Sequence, residues 1–564
     1  VDEESVIEES SEPEEAEAES DKTVEPESET TEVETAEVES TEEFSETEVE
    51  EKEISQEEPQ EEPLAEDAPE METSDSSPSE DTADEELEEP EKPVKEPSAK
   101  EKAATKLMHS VSSLLYEKGI ELVLFRRHLL DENVSEILRL HQYASDFVKK
   151  PISIFESSSL ANELTKMDLA PSKIDIGKLA YEYNSEKSQY KNIESFLNEK
   201  IGFIKNSKDK HQKSKDVVLF GFGRIGRLCA RELIKQAGKG QQLRLKGVIL
   251  RKIDAKSLHK RCALLRQDSV HGKFASSIEI NDNDYSIVIN GQKIQFFDEE
   301  NKHRLEEYGI HNALLIDNTG IYKDDASLKK HLELSGVNKV LLTAPGAGIP
   351  NIVYGVNQSD VNIKEDQIIS AASCTTNAIA PILKVINDNA HIHKGHIETV
   401  HAYTNDQNLL DNMHSKSRRG RSAAINMVIT STGAGKAVTK VIPELENKLT
   451  ANAIRVPTPN GSLAIINLNI KNKMSFDKIT ELMRTAALEG PLVNQIKFSM
   501  NTELVSSDII GSTGSAIFDS PSTIVSEDGH NIILYVWYDN EFGYTKQVIR
   551  LAKYISEVRR LHYY

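Results

Sequence analysis

The sequence of 564 residues predicts an α/β protein with two folded domains, preceded by a helical extension and an acidic N-terminal tail. Three observations predict this arrangement. Residues 1–100 contain 43 acidic and only 5 basic residues. The next stretch has apolar residues at helical spacing and little Gly or Pro. From Lys215 onward, short apolar strands alternate with helical segments, which is typical of a parallel sheet with right-handed crossovers.

We expect residues 1–102 to form a disordered acidic tail. A segment this rich in Glu, Ser, Thr and Pro cannot bury enough apolar surface to offset the entropy lost on folding. The tail is either a solvated spacer or a docking segment for a basic partner. The rest of the chain carries a formal charge of about +9, so the value of -29 for the whole chain describes neither part.

Residues 103–212 are predicted to be a helical extension. Its first part, "HSVSSLLYEKGIELVLFRRHLLDENVSEILRLHQYASDFV", has apolar residues at helical spacing, and two further helical runs follow around "FESSSLANELTKMDL" and "IESFLNEKIGFI". None of these stretches carries residues that suggest a reaction. We therefore interpret their apolar stripes as packing surface.

The stretch "VVLFGFGRIGRL" predicts a phosphate-binding turn between a strand at 216–220 and a helix at 224–237. Gly221 permits the tight turn, Gly223 lets the backbone approach a pyrophosphate, and Gly226 lets the helix pack closely on the strand. The N-terminus of the helix adds unpaired N–H donors and a positive dipole end. Residues 213–373 are accordingly predicted to be a Rossmann domain that binds a dinucleotide, completed by a C-terminal helix in 541–564.

The end of the second predicted strand, "GVILRKID", bears on the choice of cofactor. Rossmann domains usually place an acid there that binds the ribose hydroxyls. This chain has Arg251 and Lys252 near that position and Asp254 slightly later. A guanidinium at this point favours a 2′-phosphate, so the sequence favours NADP over NAD. NAD stays open, because Asp254 could also reach the ribose.

The stretch "IISAASCTTNAIAPIL" places Cys374 between a strand end and the start of a helix. A helix N-terminus lowers the pKa of a thiol, and we expect Thr375 and Thr376 to cap the helix and leave N–H groups for an oxyanion. A nucleophilic thiol needs an imidazole within reach, and "ETVHAYTND" offers His401 on a strand.

The strands after Cys374 differ from those before it. The stretches "HIETVHAYT", "AIRVPTP", "LAIINLNI" and "NIILYVWYD" are longer, and several alternate between apolar and polar residues. Residues 374–540 are therefore predicted to be an α+β catalytic domain with a mostly antiparallel sheet.

The chain has three cysteines, Cys229, Cys262 and Cys374. A small, odd number of cysteines argues against a disulfide framework and favours a reducing compartment. No apolar run is long enough to span a membrane, and the N-terminus lacks the features of a signal or transit peptide. We expect a cytoplasmic protein with no membrane or nucleic-acid partner and no metal site.

Taken with "GFGRIGR", several further stretches make residues 215–564 resemble phosphorylating glyceraldehyde-3-phosphate dehydrogenase: "SCTTN", "HAYTNDQ", "STGAGKAV", "RVPTPN" and "WYDNEFGY". The extension resembles that of a longer bacterial subgroup of this family. The resemblance implies reversible oxidation of D-glyceraldehyde 3-phosphate to 1,3-bisphosphoglycerate in glycolysis or gluconeogenesis, through a thioester on Cys374. It also implies that His401 is the base, that inorganic phosphate is a substrate and that the chain forms a homotetramer.

The resemblance implies the remaining site residues as well. Cofactor contacts would come, besides the three glycines and Arg251, from Arg224, Ile225, Thr319, Thr343, Asn540 and Tyr544. The substrate phosphate would lie at Thr404, Asp406 and Arg455. The attacking phosphate would lie at Ser373, Thr375, Arg419, Thr432 and Gly433. Arg251 in place of the family's usual Asp, and Asn412–Met413 where relatives that prefer NAD often have Leu-Pro, again favour NADP or dual use.

Three alternatives stay open at this point. Erythrose-4-phosphate dehydrogenase shares the thiol, the base and the fold, and is distinguished by whether the activity requires inorganic phosphate. A Cys–His thiol hydrolase is disfavoured by the glycine turn and by Asn540. A non-catalytic interaction protein on the same fold is disfavoured by the intact set of Cys374, His401 and Arg455.

Overall fold

The computed structural model describes residues 98–146, 148–205, 213–236 and 240–564. The predicted disorder of the acidic tail concerns residues 1–97, which lie outside the described residues. The same holds for residues 206–212 of the predicted extension and for the last residue of the helix predicted at 224–237. None of the helices in the described ranges is both long and apolar enough to cross a membrane.

The extension begins earlier than predicted, because Ser98 caps a helix that starts at Ala99. Ser98 and Glu101 form a capping box, and Gly119 ends the helix with a φ of 70°. The described elements of the extension are α1 (Ala99–Lys118), β1 (Glu121–Leu124), β2 (Arg127–His128), α2 (Val134–Asp146), α3 (Ile154–Lys166), β3 (Ser172–Asp175), α4 (Ile176–Glu186) and α5 (Ile193–Lys205).

The extension has its own hydrophobic core, which α1, α3 and α5 build with buried residues such as Leu107, Leu160 and Phe196. Its helices were predicted in part, whereas its three short strands and α4 were not. β1 pairs with β2 in antiparallel and with β3 in parallel orientation. The extension is thus a mixed α/β unit in which helices predominate.

The nucleotide-binding half has an eight-stranded sheet within the described ranges, in the order β13-β12-β11-β4-β5-β10-β9-β8. The first six strands are parallel, and β9 and β8 continue the sheet in antiparallel orientation. The elements of this half are β4 (Lys215–Phe220), α6 (Arg224–Lys235), β5 (Leu243–Ile249), α7 (Ala255–Arg266), β6 (Gln267–Asp268), β7 (Gly272–Lys273), β8 (Ile278–Asn281), β9 (Ser286–Ile289), β10 (Gln292–Phe297), β11 (Ala313–Asp317), α8 (Asp325–Leu332), β12 (Val337–Leu342) and β13 (Ile368–Ser370).

The catalytic half has a seven-stranded sheet among the described residues, in the order β15-β16-β14-β17-β20-β19-β18. Four of its six strand pairs are antiparallel, and the pairs β14–β16 and β18–β19 are parallel. The elements are α9 (Cys374–Ala390), β14 (Ile392–Ala402), β15 (Val428–Thr430), α10 (Ala434–Thr439), β16 (Leu449–Val456), β17 (Ser462–Ile470), α11 (Phe476–Leu488), β18 (Ile496–Ser499), β19 (Ala516–Val525) and β20 (Asn531–Tyr538).

The C-terminal segment connects the two halves and the extension. It consists of α12 (Phe542–Ile555) and β21 (Leu561–Tyr563). α12 packs on α6 and its buried residues join the core of the nucleotide-binding half. β21 pairs in parallel with β3 and completes a four-stranded sheet of described residues, β2-β1-β3-β21. The last strand of the chain therefore holds the extension in place.

Candidate active site

The glycine turn lies at the carboxyl end of β4, and a different structural feature explains the glycine at each of its three positions. Gly221 has a φ of +89°, which favours glycine. A Cβ on Gly226 would lie 2.4 Å from the carbonyl oxygen of Gly221, so α6 can approach β4 only without a side chain there. A Cβ on Gly223 would meet nothing within 4 Å, so this face of the turn is open to a ligand.

The residues predicted to line the cofactor pocket lie at the same edge of the sheet. Thr319 follows β11, and its hydroxyl donates to Asp317 Oδ1 over 2.7 Å. Thr343 follows β12, and its hydroxyl donates to the Asp317 carbonyl over 2.9 Å. Because β11 and β5 flank β4 on opposite sides, the crevice at the end of β4 is the switch point at which α/β sheets bind their ligands. Ile225 lies in the first turn of α6, half-buried at this crevice.

Arg224 makes structural contacts that its predicted role did not include. Its guanidinium pairs with Glu541 and with Asp268, and His271 Nε2 lies 3.0 Å from Glu541 Oε2. Burial acts to raise the pKa of the Glu541 carboxyl, but the hydrogen bonds from Arg224 and His271 outweigh it, so that pKa lies below its ordinary value. Arg224 thus ties the glycine turn to the start of α12.

Asn540 and Tyr544 lie on either side of Glu541, which pairs with Arg224: Asn540 follows β20, and Tyr544 lies in the first turn of α12. Asn540 is buried, and its Oδ1 accepts a hydrogen bond of 2.9 Å from the Ser462 hydroxyl. The Tyr544 hydroxyl donates to the Ala372 carbonyl over 2.8 Å, two residues before Cys374. The open face at Gly223 and these two ordered side chains are compatible with a bound dinucleotide.

Arg251 and Lys252 are exposed after the end of β5, and Arg251 makes no hydrogen bond or ion pair within the described ranges. Asp254, in contrast, caps α7, and its Oδ1 accepts a 2.7 Å hydrogen bond from the Ser257 N–H. A carboxylate that caps a helix has lost one of its acceptor positions for a ribose.

Cys374 is the first residue of α9, and Ser373 caps the helix by accepting a 3.0 Å hydrogen bond from the Thr376 N–H. The cap is therefore Ser373, and the expectation that Thr375 and Thr376 provide it is wrong. The Thr375 hydroxyl lies 3.1 Å from the hydroxyl of Tyr538 instead. Ala372, just before the cap, has a φ of 55°, which is unusual for a residue with a side chain.

The thiol and the imidazole meet as the sequence predicts. Cys374 Sγ lies 3.7 Å from His401 Nε2. His401 Nδ1 lies 2.7 Å from the Ala402 carbonyl and 3.1 Å from Arg455 Nη1. The shorter contact, to the carbonyl, favours the proton on Nδ1 and leaves Nε2 as the acceptor toward sulfur. The ring of Tyr538 packs edge-on against the imidazole at 5.9 Å between centroids.

Burial dominates the acid–base properties of the pair. It raises the pKa of the Cys374 thiol, and the opposing charge of Arg455 and the hydrogen bonds from Thr375 are weaker. The expected lowering of this pKa at the helix N-terminus is therefore wrong. Burial, assisted by the charge of Arg455, lowers the pKa of His401 to about 4. At neutral pH the thiol is protonated and the imidazole is neutral.

Arg455 reaches His401 because parallel β14 and β16 place the two residues side by side in register. Its Nη1 donates to the Ala402 carbonyl over 2.9 Å and to the Thr404 hydroxyl over 3.2 Å. The Thr404 hydroxyl in turn donates to Asp406. Thr404, Asp406 and Arg455, predicted as one group, are thus connected.

Arg419 joins that first group rather than the second. Its guanidinium pairs with Asp406, and its Nε donates to the Thr430 hydroxyl over 3.1 Å. The sequence assigned Arg419 to the attacking phosphate together with Ser373 and Thr375. Thr432 and Gly433 precede α10, where the Thr432 hydroxyl accepts from the Ala434 N–H over 3.2 Å. α10 packs on α9, which begins with Cys374.

Tyr538 and the Asp268–His271–Glu541 group were missed as site residues. The sequence could have indicated Tyr538, because this residue belongs to the quoted stretch "WYDNEFGY" and lies on the buried side of an alternating strand. No sequence feature indicated Asp268 or His271, because only the fold brings these residues to the glycine turn.

These features define a class of protein, a dehydrogenase with a nicotinamide dinucleotide cofactor and a nucleophilic cysteine beside a histidine. Residues 215–325 match the family model "Glyceraldehyde 3-phosphate dehydrogenase, NAD binding domain", and residues 373–540 match the corresponding C-terminal domain. The chain belongs to the glyceraldehyde-3-phosphate dehydrogenase family. It is an oxidoreductase that acts on glyceraldehyde 3-phosphate with a nicotinamide dinucleotide.

Individual relatives add information about length. The chain is 43% identical over 438 residues to a glyceraldehyde-3-phosphate dehydrogenase-like protein of Pseudomonas aeruginosa, covering 77% of this chain and 94% of the relative. It is 39% identical over 343 residues to glyceraldehyde-3-phosphate dehydrogenase 2 of Trichormus variabilis, covering 60% of this chain and 98% of the relative. The Pseudomonas match is too long to fit between Lys215 and the C-terminus, so it includes part of the extension.

Proposed function

We propose that the chain is a phosphorylating dehydrogenase in which Cys374 attacks the aldehyde and His401 takes the thiol proton. The 3.7 Å between Sγ and Nε2 supports this assignment most directly. The neutral imidazole accepts the thiol proton as the S–C bond forms and passes it to the substrate oxygen, which gives the thiohemiacetal hydroxyl. The same nitrogen, neutral again, takes this hydroxyl proton as the hydride leaves and the thioester forms. The bound nicotinamide supplies the hydride acceptor.

The anion sites follow from the arginines. Arg455 and Arg419, linked through Thr404 and Asp406, offer guanidinium donors for the substrate phosphate. Ser373, Thr375, Thr432 and Gly433 would hold the inorganic phosphate that attacks the thioester and frees Cys374. The products are then the acyl phosphate and the free thiol.

A steady-state assay with and without inorganic phosphate tests this reaction. Cys374→Ser should abolish oxidation and leave cofactor binding intact, whereas the buried Cys262→Ser serves as a matched control with near-normal turnover. Near-normal turnover of Cys374→Ser would refute the mechanism. Turnover that needs no phosphate would indicate hydrolysis of the thioester, as in the alternative erythrose-4-phosphate dehydrogenase.

We infer that the cofactor is NADP in preference to NAD. Support comes from Arg251, which is exposed after β5 and unpaired among the described residues, and from Asp254, which is engaged at the cap of α7. Arg251→Asp should lower the ratio of kcat/KM for NADP over NAD by about tenfold or more, because it replaces a phosphate-binding charge with a repulsive one. Lys260→Asp, the same charge change further along α7, is the control. An unchanged ratio in Arg251→Asp would remove this inference.

We further propose a homotetramer in the cytoplasm. The long loop between β14 and β15 carries large apolar side chains that are more than half exposed, which favours a subunit interface: Leu409, Leu410, Met413, Ile425 and Met427. All three cysteines are free thiols, as in a reducing compartment. Light scattering should give four times the chain mass of 63.0 kDa. A monomeric mass would contradict the homotetramer. Recovery of the protein outside the cytoplasm on cell fractionation would contradict the cytoplasmic location.

A further inference from the structure

A cavity that opens to solvent lies where the extension meets the catalytic half. The turn between β1 and β2 forms one wall, and the end of α11, β18, the segment before β19 and α12 form the other. None of the residues assigned above to the active site lines this cavity.

The cavity wall is strongly basic, with six lysine or arginine side chains and His128 but no carboxylate among its lining residues. Three of the six have carboxylate partners just outside the lining. Arg126 pairs with Asp175, Lys173 pairs with Glu121, and Arg484 pairs with Glu481. The other three are Arg127, Lys497 and Arg550.

These three cations have no carboxylate partner in the described part of the chain. Arg127 stacks on the ring of Tyr143 at 4.8 Å. Arg550 donates only to backbone carbonyls, those of Asn494 and Thr513. Lys497 makes no hydrogen bond or ion pair with any described residue. We name Arg127, Lys497 and Arg550 the cation triad.

Two members of the triad are held in surroundings that disfavour their charge. Burial, and after it the charges of Arg127, Arg550 and Lys546, lower the pKa of Lys497 to about 7. Burial lowers the pKa of Arg550 to about 10. The charges of Glu232 and Glu121 oppose the shift of Arg550 only in part, and a bound anion would relieve the repulsion at Lys497 because it brings negative charge into direct contact with the triad.

The remaining lining residues indicate what kind of anion fits. Phe125, Tyr143 and Phe498 give the wall an apolar, aromatic part beside the cations. The guanidinium of Arg127, the ammonium of Lys497 and the positive charge of Arg550 suit phosphate oxygens, and the aromatic part suits an organic body. We propose that this cavity binds a small organic phosphate with two or more negative charges, at a site separate from the active site.

The cavity depends on the extension, because Arg127 and Tyr143 come from it while Lys497 and Arg550 come from the catalytic half and α12. The relative from Pseudomonas aeruginosa also matches part of the extension. A ligand that contacts both walls would hold the extension against the catalytic half.

Calorimetric titration of the full chain with fructose 1,6-bisphosphate tests the proposal. The variant Arg455→Gln removes an arginine of the active site, so it should weaken anion binding there and leave binding in the cavity unchanged. We expect the titration to persist in Arg455→Gln and its affinity to fall at least tenfold when Lys497→Met is added. Lys473→Met, an exposed lysine of the same half, is the matched control and should leave the affinity unchanged.

Two results would overturn the proposal, namely loss of all binding in Arg455→Gln or undiminished affinity after Lys497→Met. Lys497→Met removes an unpaired charge, so we expect a thermal midpoint at least as high as that of the parent protein. If Lys497→Met fails to fold, the same titration is made with Arg127→Gln, which changes an exposed residue and should also weaken the affinity for the bisphosphate. Tighter binding of citrate than of the bisphosphate, lost in the same variants, would overturn the assignment to phosphate.

Discussion

Alanine substitutions at two positions of the glycine turn should have different effects: Gly226→Ala should lower the stability of the fold, and Gly223→Ala should weaken cofactor binding. A Cβ on Gly226 would lie 2.4 Å from the Gly221 oxygen, whereas ordinary contacts begin at 3.4 Å. The turn and α6 must then separate by about 1 Å, and overpacking of this kind costs about 1–3 kcal/mol. Alanine gains about 0.5–1 kcal/mol over glycine inside a helix, so the net loss for Gly226→Ala lies between about 0 and 2.5 kcal/mol, and we expect about 1 kcal/mol.

Gly223→Ala should have the opposite effect. The new Cβ meets no protein atom within 4 Å, and the φ of -73° suits alanine. The poorer helix cap and the smaller entropy of the unfolded chain, each worth about 0.5–1 kcal/mol, oppose each other. The methyl group would occupy the open face at which the backbone approaches a pyrophosphate, so we expect at least a tenfold weaker affinity for the cofactor.

Two measurements on each variant check this contrast. Urea unfolding can be followed through Trp537, the single tryptophan of the chain, and NADPH binding through the fluorescence of the nicotinamide. Gly223→Ala with parent affinity would refute the assignment of the open face to the cofactor. Gly226→Ala with parent stability would refute the close contact between α6 and β4.

Three further changes have expected outcomes. His401 has a pKa of about 4 in the folded protein against 6.5 unfolded, so the stability present above pH 6.5 falls as the pH drops to 4. His401→Gln should remove about 3 kcal/mol of that loss, measured as unfolding free energies at pH 7.5 and pH 4. Arg224→Met removes a guanidinium partner of both Glu541 and Asp268, which keep His271 and Arg227 respectively, and should cost about 2 kcal/mol at pH 7. The cost should be smaller at pH 4, where protonation of the carboxylates relieves the loss, so an equal cost at both pH values would contradict the ion-pair argument. Deleting residues 561–564 removes β21 from the edge of β3 and should make the extension sensitive to limited proteolysis, while an unchanged digestion pattern would show that β21 is dispensable.

The sequence predicts the two large domains well because their signals are local. The glycine turn, the strand before it and the alternating strands after Cys374 each occupy a few adjacent residues. The extension shows the limit of this reasoning. β1 has the sequence "ELVL" inside a stretch with helical spacing, and a short apolar strand cannot be told from a helical run by periodicity. Its sheet also needs β21, which lies more than 380 residues further along the chain.

The site residues show the same division. The pairing of Cys374 with His401 was predicted from motifs, and so was the group of Thr404, Asp406 and Arg455. The position of Arg419 against Asp406 was not, because the long loop that carries Arg419 has no periodic pattern that would place it. The thiol pKa was also missed, since a helix start is visible in a sequence but the extent of burial around it is not.

The resting state of the cysteine follows from that burial. A protonated thiol beside a neutral imidazole, 3.7 Å away, has no net charge to desolvate, whereas a thiolate–imidazolium pair would need stabilisation in a buried site. In the proposed mechanism, the proton would therefore move as sulfur forms its bond to carbon, when negative charge develops on the substrate oxygen.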